Sequence, residues 1–351
     1  MPRIFSCAWR RASAFAVAGA GALLTCLTAS SVRADPSSTS LEQAYDLGDI
    51  QSPRWVAFGG AQTALGSSTT AIYNNPANLA LARVYHFEAL AAWSPEAQRQ
   101  SYGGGIADSS TNQLAARPAG ADVANGLAGG IAGVWSTMDP DGVNRQWTDV
   151  RLALAYPITE TLFLGLTGRY LTVNQATGRG PLSCAVCSNL VSDGTADQAL
   201  ANIFTFNAGL TFRPVKPLSI AVLGQNLTNP GRPVAPTTVT GAVGLDLNVF
   251  SLEFDSLVDF TTYGDPRARF MLGSEVFLFN RFAIRLGYRI DLGQKTQSIS
   301  GGLGWVDKHF SVEASVRQDV DADHPNTMIV LGLRYFYDYG GAGQDPAMTA
   351  D

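Results

Sequence analysis

The chain has 351 residues, of which 46% are apolar and only 15% are charged, against roughly 25% charged in an ordinary soluble domain. Lysine occurs only at Lys216, Lys295 and Lys308, and 36 glycines take up much of the deficit, which argues against the charged helix surfaces of a soluble α/β enzyme. The formal net charge of -5 argues against a nucleic-acid partner.

The first segment reads as an export signal. Arg3, Arg10 and Arg11 form a basic start, Ala12 to Thr28 is apolar, and Val32-Arg33-Ala34 suits a signal peptidase. We therefore expect residues 1–34 to be a signal peptide cleaved after Ala34. A retained anchor helix is the poorer reading, because the apolar run is short and the polar stretch Asp35 to Ser40 follows it.

Residues 35–83 do not alternate. A glycine-rich run, Ala57 to Gly66, precedes Ala71-Ile72-Tyr73-Asn74-Asn75-Pro76-Ala77. Small residues allow close backbone packing. Asn75 before proline should be extended, and Pro76 can open a helical turn through Leu79. The expectation is a small, irregular N-terminal hatch or plug.

From 84 to 338 the chain alternates with period two. Phe282, Ile284, Leu286, Tyr288 and Ile290 face one way, and Arg281, Ala283, Arg285, Gly287, Arg289 and Asp291 face the other. The segments at 150–156, 204–212, 310–317 and 329–337 sort in the same manner. Periodicity alone does not separate a soluble sandwich from a membrane barrel. Strands of about 10–12 residues match a tilted bilayer span. Trp93, Trp135, Trp147, Tyr156, Tyr170, Trp305, Tyr335 and Tyr337 lie near strand ends, where interfacial girdles belong. Connections alternate between short (157–160, 213–217, 278–281, 306–309) and longer (175–201, 228–236, 261–266, 320–326), as in outer-membrane barrels. The fold class is thus all-β, a transmembrane antiparallel β-barrel of about 14 strands. The long link from Asp108 to Gly126 falls at the short-turn end, so either a strand boundary is misplaced or an insertion sits there.

Candidate chemistry is sparse. Glu253, Asp255, Arg267, Arg269, Glu275, Arg285, Arg289 and Arg334 fall on the lumen-facing side. Adjacent strands bring such groups together, and buried charges need partners, so a mutually neutralising ladder is expected. An anionic head-group site near Arg285, Arg289 and Arg334 is the functional alternative. Cys184 and Cys187 have no neighbouring histidine to complete a metal site and are expected to form a small loop disulfide in an oxidising compartment. His86, His309 and His324 are dispersed. The run Asp139 to Asn144 lacks the closing glutamate of a calcium loop. No cofactor, no metal and no catalytic residue is expected. Residues 339–351 read as a C-terminal tail beyond the last strand.

The glycine-rich run, Asn75-Pro76-Ala77 and the strands after them resemble the long-chain fatty-acid transporter (FadL-like) superfamily of outer-membrane barrels. They are most similar to its divergent PorV-like relatives. Gln225-Asn226-Leu227 and Gly273-Ser274-Glu275 leading into Ala283 to Tyr288 are further landmarks. The resemblance implies a 14-stranded barrel with Asn75, Pro76 and Ala77 in a hatch inside it. It implies a plugged channel for hydrophobic or amphipathic small molecules, in contact with outer-membrane lipid. A PorV-like scaffold or secretion partner, docking an envelope protein through residues 175–201, is the alternative. An unplugged porin ranks last.

Overall fold

The alternating segments form fourteen strands in the computed structural model, which describes residues 45–46, 48–50, 52–81, 85–109, 126–175 and 198–337. The strands are β1 (Tyr85–Ser94), β2 (Arg99–Asp108), β3 (Ala128–Met138), β4 (Arg145–Pro157), β5 (Leu162–Gln175), β6 (Gln198–Val215), β7 (Leu218–Gln225), β8 (Thr238–Asp246), β9 (Phe250–Asp259), β10 (Arg267–Leu278), β11 (Phe282–Asp291), β12 (Thr296–Val306), β13 (Phe310–Asp321) and β14 (Thr327–Phe336). Each pairs antiparallel with its sequence neighbours, and β1 closes on β14 over His86↔Phe336 to Trp93↔Ile329. Closure leaves no sheet edge, and it removes the sandwich alternative. At one end of the seam Thr327 donates from its N–H and its Oγ1 to Glu96, at 2.9 and 2.7 Å, tying the β1–β2 turn to the start of β14.

The wall is amphipathic in the reverse sense to a soluble protein. Leu303 and Leu286 are both 64% exposed and Leu152 is 57% exposed, while the inward Arg285, Arg289 and Arg317 are each 2% exposed. A large apolar side chain left in water costs roughly 1.5–3 kcal/mol, so this outer face requires lipid. Only closed barrels and helices satisfy their backbone groups in a bilayer.

Connections sort by end. The turns 158–161, 216–217, 247–249, 279–281 and 307–309 share one end, and 95–98, 139–144, 176–197, 226–237, 260–266, 292–295 and 322–326 share the other. The link 109–127 joins β2 to β3 at the short-turn end. The strand boundaries therefore stand, and the length of this link is an insertion at that end.

One girdle assignment is corrected. Tyr156, Tyr170, Trp305, Tyr335 and Tyr337 are 39–51% exposed on the outer face, but Trp147 is 1% exposed and points inward. Its ring lies 4.9 Å from the Arg99 guanidinium. A cation over the ring face holds the indole inside. The expected signal peptide at 1–34, the Cys184–Cys187 disulfide and the tail at 339–351 lie outside the described residues.

The exposed outer face generates a direct test. Leu303→Lys, on the outer side of β12, should lower unfolding stability in phospholipid vesicles by about 2–4 kcal/mol if this position sits near the bilayer midplane. Denaturant titration in vesicles measures it.

Candidate functional site

The described residues between 45 and 81 pack against the inward faces of the strands. Ser52 caps helix α1 (Pro53–Ala57), its Oγ accepting from the Trp55 N–H at 3.4 Å, and Pro53 supplies a preset first turn. After a glycine turn comes α2 (Ser68–Tyr73), then a 3-10 turn (Pro76–Ala80). Helix α1 touches β11 to β14, α2 touches β1 to β4, and the 3-10 turn touches β3 to β6. Ile72, Tyr73, Ala77 and Leu79 share an apolar cluster with Leu90, Ala132, Val134 and Phe163 of the wall.

Glycines in the wall make room for this segment. A Cβ on Gly287 would meet Gly59 N at 2.2 Å, one on Gly165 would meet Ala77 N at 2.2 Å, and one on Gly273 would meet Phe58 Cδ1 at 2.2 Å. A Cβ on Gly209 would fall 1.9 Å from Asn75 Oδ1. These glycines lie on different strands, at positions where the segment's own atoms occupy the space of a side chain.

Asn75 behaves as its sequence position suggests. It is extended (φ -95°, ψ 104°), and its Oδ1 accepts from the Ala77 N–H at 3.1 Å. Its Nδ2 donates to the Thr63 carbonyl at 2.8 Å and to Thr211 Oγ1 of β6 at 2.9 Å. Asn78 binds the same two partners, accepting from Thr211 Oγ1 at 2.6 Å. One asparagine thus starts the turn and fixes it to the wall. Pro76 and Ala77 are buried beside it.

The inward charges are arranged by register. Glu275 lies opposite Arg285, Arg269 opposite Asp291, Arg267 opposite Asp259, and Arg334 opposite Glu88. Arg285 is bonded to Glu275 and reaches Glu313 of β13 at 3.0 Å. Arg54 of α1 joins the same cluster through Glu275 at 3.0 Å. Arg269 meets Asp291 at 2.6 Å, and Arg334 meets Glu88 at 3.3 Å. Arg289 has Asp46 at 3.6 Å. Arg285, Arg289 and Arg334 therefore each face a carboxylate of the chain itself.

Glu253 and Asp255 depart from the expected ladder. Register places Gly273 and Met271 opposite them on β10, so no cation of that strand is in line. They take backbone amides instead. Gln62 and Thr63 donate to Asp255 Oδ2 at 3.2 and 3.1 Å, and Ala64 and Leu65 donate to the two Glu253 oxygens at 2.5 and 3.1 Å. Four consecutive N–H groups of the segment are satisfied by two carboxylates on one strand.

Sequence reading missed the groups that hold the turn at 45–49. Arg99 of β2 donates to the carbonyls of Tyr45, Asp46 and Asp49 at 3.1, 3.0 and 2.7 Å. Arg169 of β5 donates to the Gly48 carbonyl at 2.7 Å, and Arg317 of β13 to Asp46 Oδ2 at 2.5 Å. Gly48 has φ +90°, and a Cβ there would meet the Val234 carbonyl of the 226–237 connection at 2.4 Å. Arg151 and Arg169 in turn share Asp149 of β4 at 2.9 and 2.8 Å. Each of these arginines occupies an inward position of an alternating strand, which was the available signal.

Between the segment and the loop end lies a cavity of about 120 Å³. Its lining includes Asp49, Ile50, Trp55 and Asn74 of the segment, Leu257, Arg269 and Met271 of the wall, and Pro233, Tyr263 and Gln294 of three connections at the loop end. It offers both charged and apolar surface. Among the described residues no group of three metal-ligating side chains occurs.

No protein-family model matches the chain, and no curated protein matches it. Solved structures do. A monoaromatic hydrocarbon channel, CymD, superposes with a TM-score of 0.57 at 13% identity, covering 84% of this chain and 98% of that one. The toluene transporter TbuX of Ralstonia pickettii gives 0.54 at 12% identity, covering 84% and 100%. A FadL homologue from Pseudomonas aeruginosa gives 0.52 at 11%, covering 82% and 98%. At these identities the likeness is one of fold, and it extends over nearly the whole length of each of these proteins.

The Glu253 contact can be tested without disturbing the outer wall. Glu253→Ala leaves the Ala64 and Leu65 amides without their acceptors, at a cost of about 1–3 kcal/mol each. Hydrogen exchange at those two amides should accelerate at least tenfold, while amides of β4 and β5 keep their protection.

Proposed function

We propose that this chain is an outer-membrane channel of the fatty-acid-transporter kind that passes hydrophobic or amphipathic small molecules. In this reading residues 35–83 are its hatch, and Asn75, Pro76 and Ala77 are the part of the hatch tied to β6. The observation that carries the proposal is the use of the lumen charges. Glu253, Asp255 and Glu275 bond to the chain's own N-terminal segment, so the lumen is occupied by protein where an open pore would hold water. An occupied lumen suits cargo that enters by displacing a few side chains, and it opposes free flow of hydrophilic solutes.

The shared fold supports the same reading, since the structures it resembles are those of a hydrocarbon channel, a toluene transporter and a FadL homologue. The exposed apolar band supports residence in a bilayer. These neighbours lend no specific support to a PorV-like secretion partner.

The test is solute uptake by lipopolysaccharide-containing vesicles carrying the purified protein. Toluene should enter several-fold faster than into protein-free vesicles, and maltose should enter at the protein-free rate. Fast maltose entry with no gain for toluene would point to an open porin and sink the proposal.

A further inference from the structure

Three aromatic rings meet on the outer face of β1 to β3, near the loop end. Residues directly opposite one another in antiparallel strands share a face, so register sorts the outward side chains into rows. The first row from the loop end is Trp93, Gln100 and Thr137, and the second is Ala91, Tyr102 and Trp135. The third is Ala89, Gly104 and Gly133. The Tyr102 and Trp135 rings lie 6.2 Å apart and within 13° of parallel, and Trp93 meets Tyr102 edge-on at 6.3 Å. The rings thus make a floor and a side wall.

On the loop side of the rings, the β1–β2 and β3–β4 turns border an open recess of about 560 Å³. Gln98, Gln100, Thr137, Asp139 and Asn144 line it beside Trp93. Their amides, hydroxyl and carboxylate supply both donors and acceptors. Ser94 lines it too, is 1% exposed, and its Oγ has no hydrogen-bond partner among the described residues. Arg99, the cation in the lining, is 3% exposed and already donates to three carbonyls, so it is not placed to hold a phosphate. On the other side of the rings the wall is bare. Ala89, Ala91, Gly104 and Gly133 carry at most a methyl group, between Leu331 and Leu333 of β14 and Val150 of β4, which are 39–53% exposed. A shallow apolar trough results. A lipid-facing tryptophan can serve an interfacial girdle alone, as Trp305 does at the short-turn end. A girdle accounts for the rings, but not for a polar recess on one side of them and a trough on the other.

We infer that this face binds a lipid with a sugar head group, lying along the wall with its head in the recess and its chain in the trough. The C–H groups on one face of a pyranose pack against an aromatic ring, here Trp93. Its hydroxyls pair with Ser94 and with the amides and carboxylate of the recess. The chain covers Ala91 and Gly133. Such a lipid belongs to the outer leaflet, the one on the side of the long loops. The inference rests on residence in a membrane and not on the channel reading.

The experiment is fluorine NMR of the full chain labelled with 5-fluorotryptophan, in octyl tetraoxyethylene micelles. The probes are dodecyl maltoside, dodecylphosphocholine with the same chain, and maltose with the same head. Dodecyl maltoside should shift the Trp93 and Trp135 signals saturably and leave Trp305 in place. Dodecylphosphocholine and maltose should each need at least tenfold higher concentration for the same shifts. Gly133→Leu, which fills the trough, should weaken dodecyl maltoside at least fivefold. A Cβ at Gly133 meets nothing nearer than 3.8 Å beyond its chain neighbours, so the strand accepts the change. Equal response to the two detergents, an equal shift at Trp305, or full affinity in the Gly133→Leu protein would each overturn the inference. Saturation by maltose at the concentrations that suffice for dodecyl maltoside would assign the recess to a free saccharide and overturn the lipid.

Discussion

The structure depends on one constraint, which is that charges on the inward face of a closed wall must be neutralised from within the barrel. Removing one partner of a buried ion pair typically costs about 3–5 kcal/mol. The wall solves part of this itself, through cross-strand pairs such as Glu275 with Arg285 and Arg269 with Asp291. It cannot solve all of it. Arg99 takes the Tyr45, Asp46 and Asp49 carbonyls and Ser101, with the Trp147 ring under its guanidinium, and Glu253 and Asp255 take backbone amides of the segment. Wall and segment are therefore incomplete without one another.

Shape is set by the same constraint. For carboxylates on β9 to reach main-chain N–H groups, the segment must approach the wall at backbone distance. Glycine at 165, 209, 273 and 287 permits that approach. The turn at 45–49 is held near the loop end, by residues at the loop-end halves of β2, β5 and β13. From there the chain descends to Asn75 and the 3-10 turn, which meet the short-turn halves of β5 and β6. Arg54 to Glu275 and the Ala64 and Leu65 amides to Glu253 anchor it along the way, and an apolar cluster around Ile72 and Leu79 adds contact with the wall. The cavity lies towards the loop end, between the segment and the 226–237 and 260–266 connections.

Much of the wall was legible in the sequence. Period-two alternation in β11, β13 and β14 needs no tertiary information, because a strand turns every second side chain to the same face. Connection lengths gave the two ends of the barrel for the same reason. Trp147 misled because an aromatic residue near a strand end suits a girdle, and the Arg99 guanidinium over its ring shows that it faces inward instead. The inward charges were readable as a set. Their partners were not, since register decides whether Glu253 meets an arginine or a glycine, and alternation carries no register. Arg54, Asp46 and Asp49 were unreadable as site residues because they lie in a segment without periodicity. Asn75-Pro76 was readable because an asparagine before a proline restricts its own backbone and caps the turn after it.

Conductance across a planar lipid bilayer tests most directly whether the lumen is stopped by the chain's own N-terminal segment. The full chain should insert and carry no steady ion current. The same chain lacking residues 52–81, refolded to a heat-modifiable barrel, should open stable channels that pass salt. Steady conductance by the intact protein, equal to that of the deleted one, would contradict a stopped lumen.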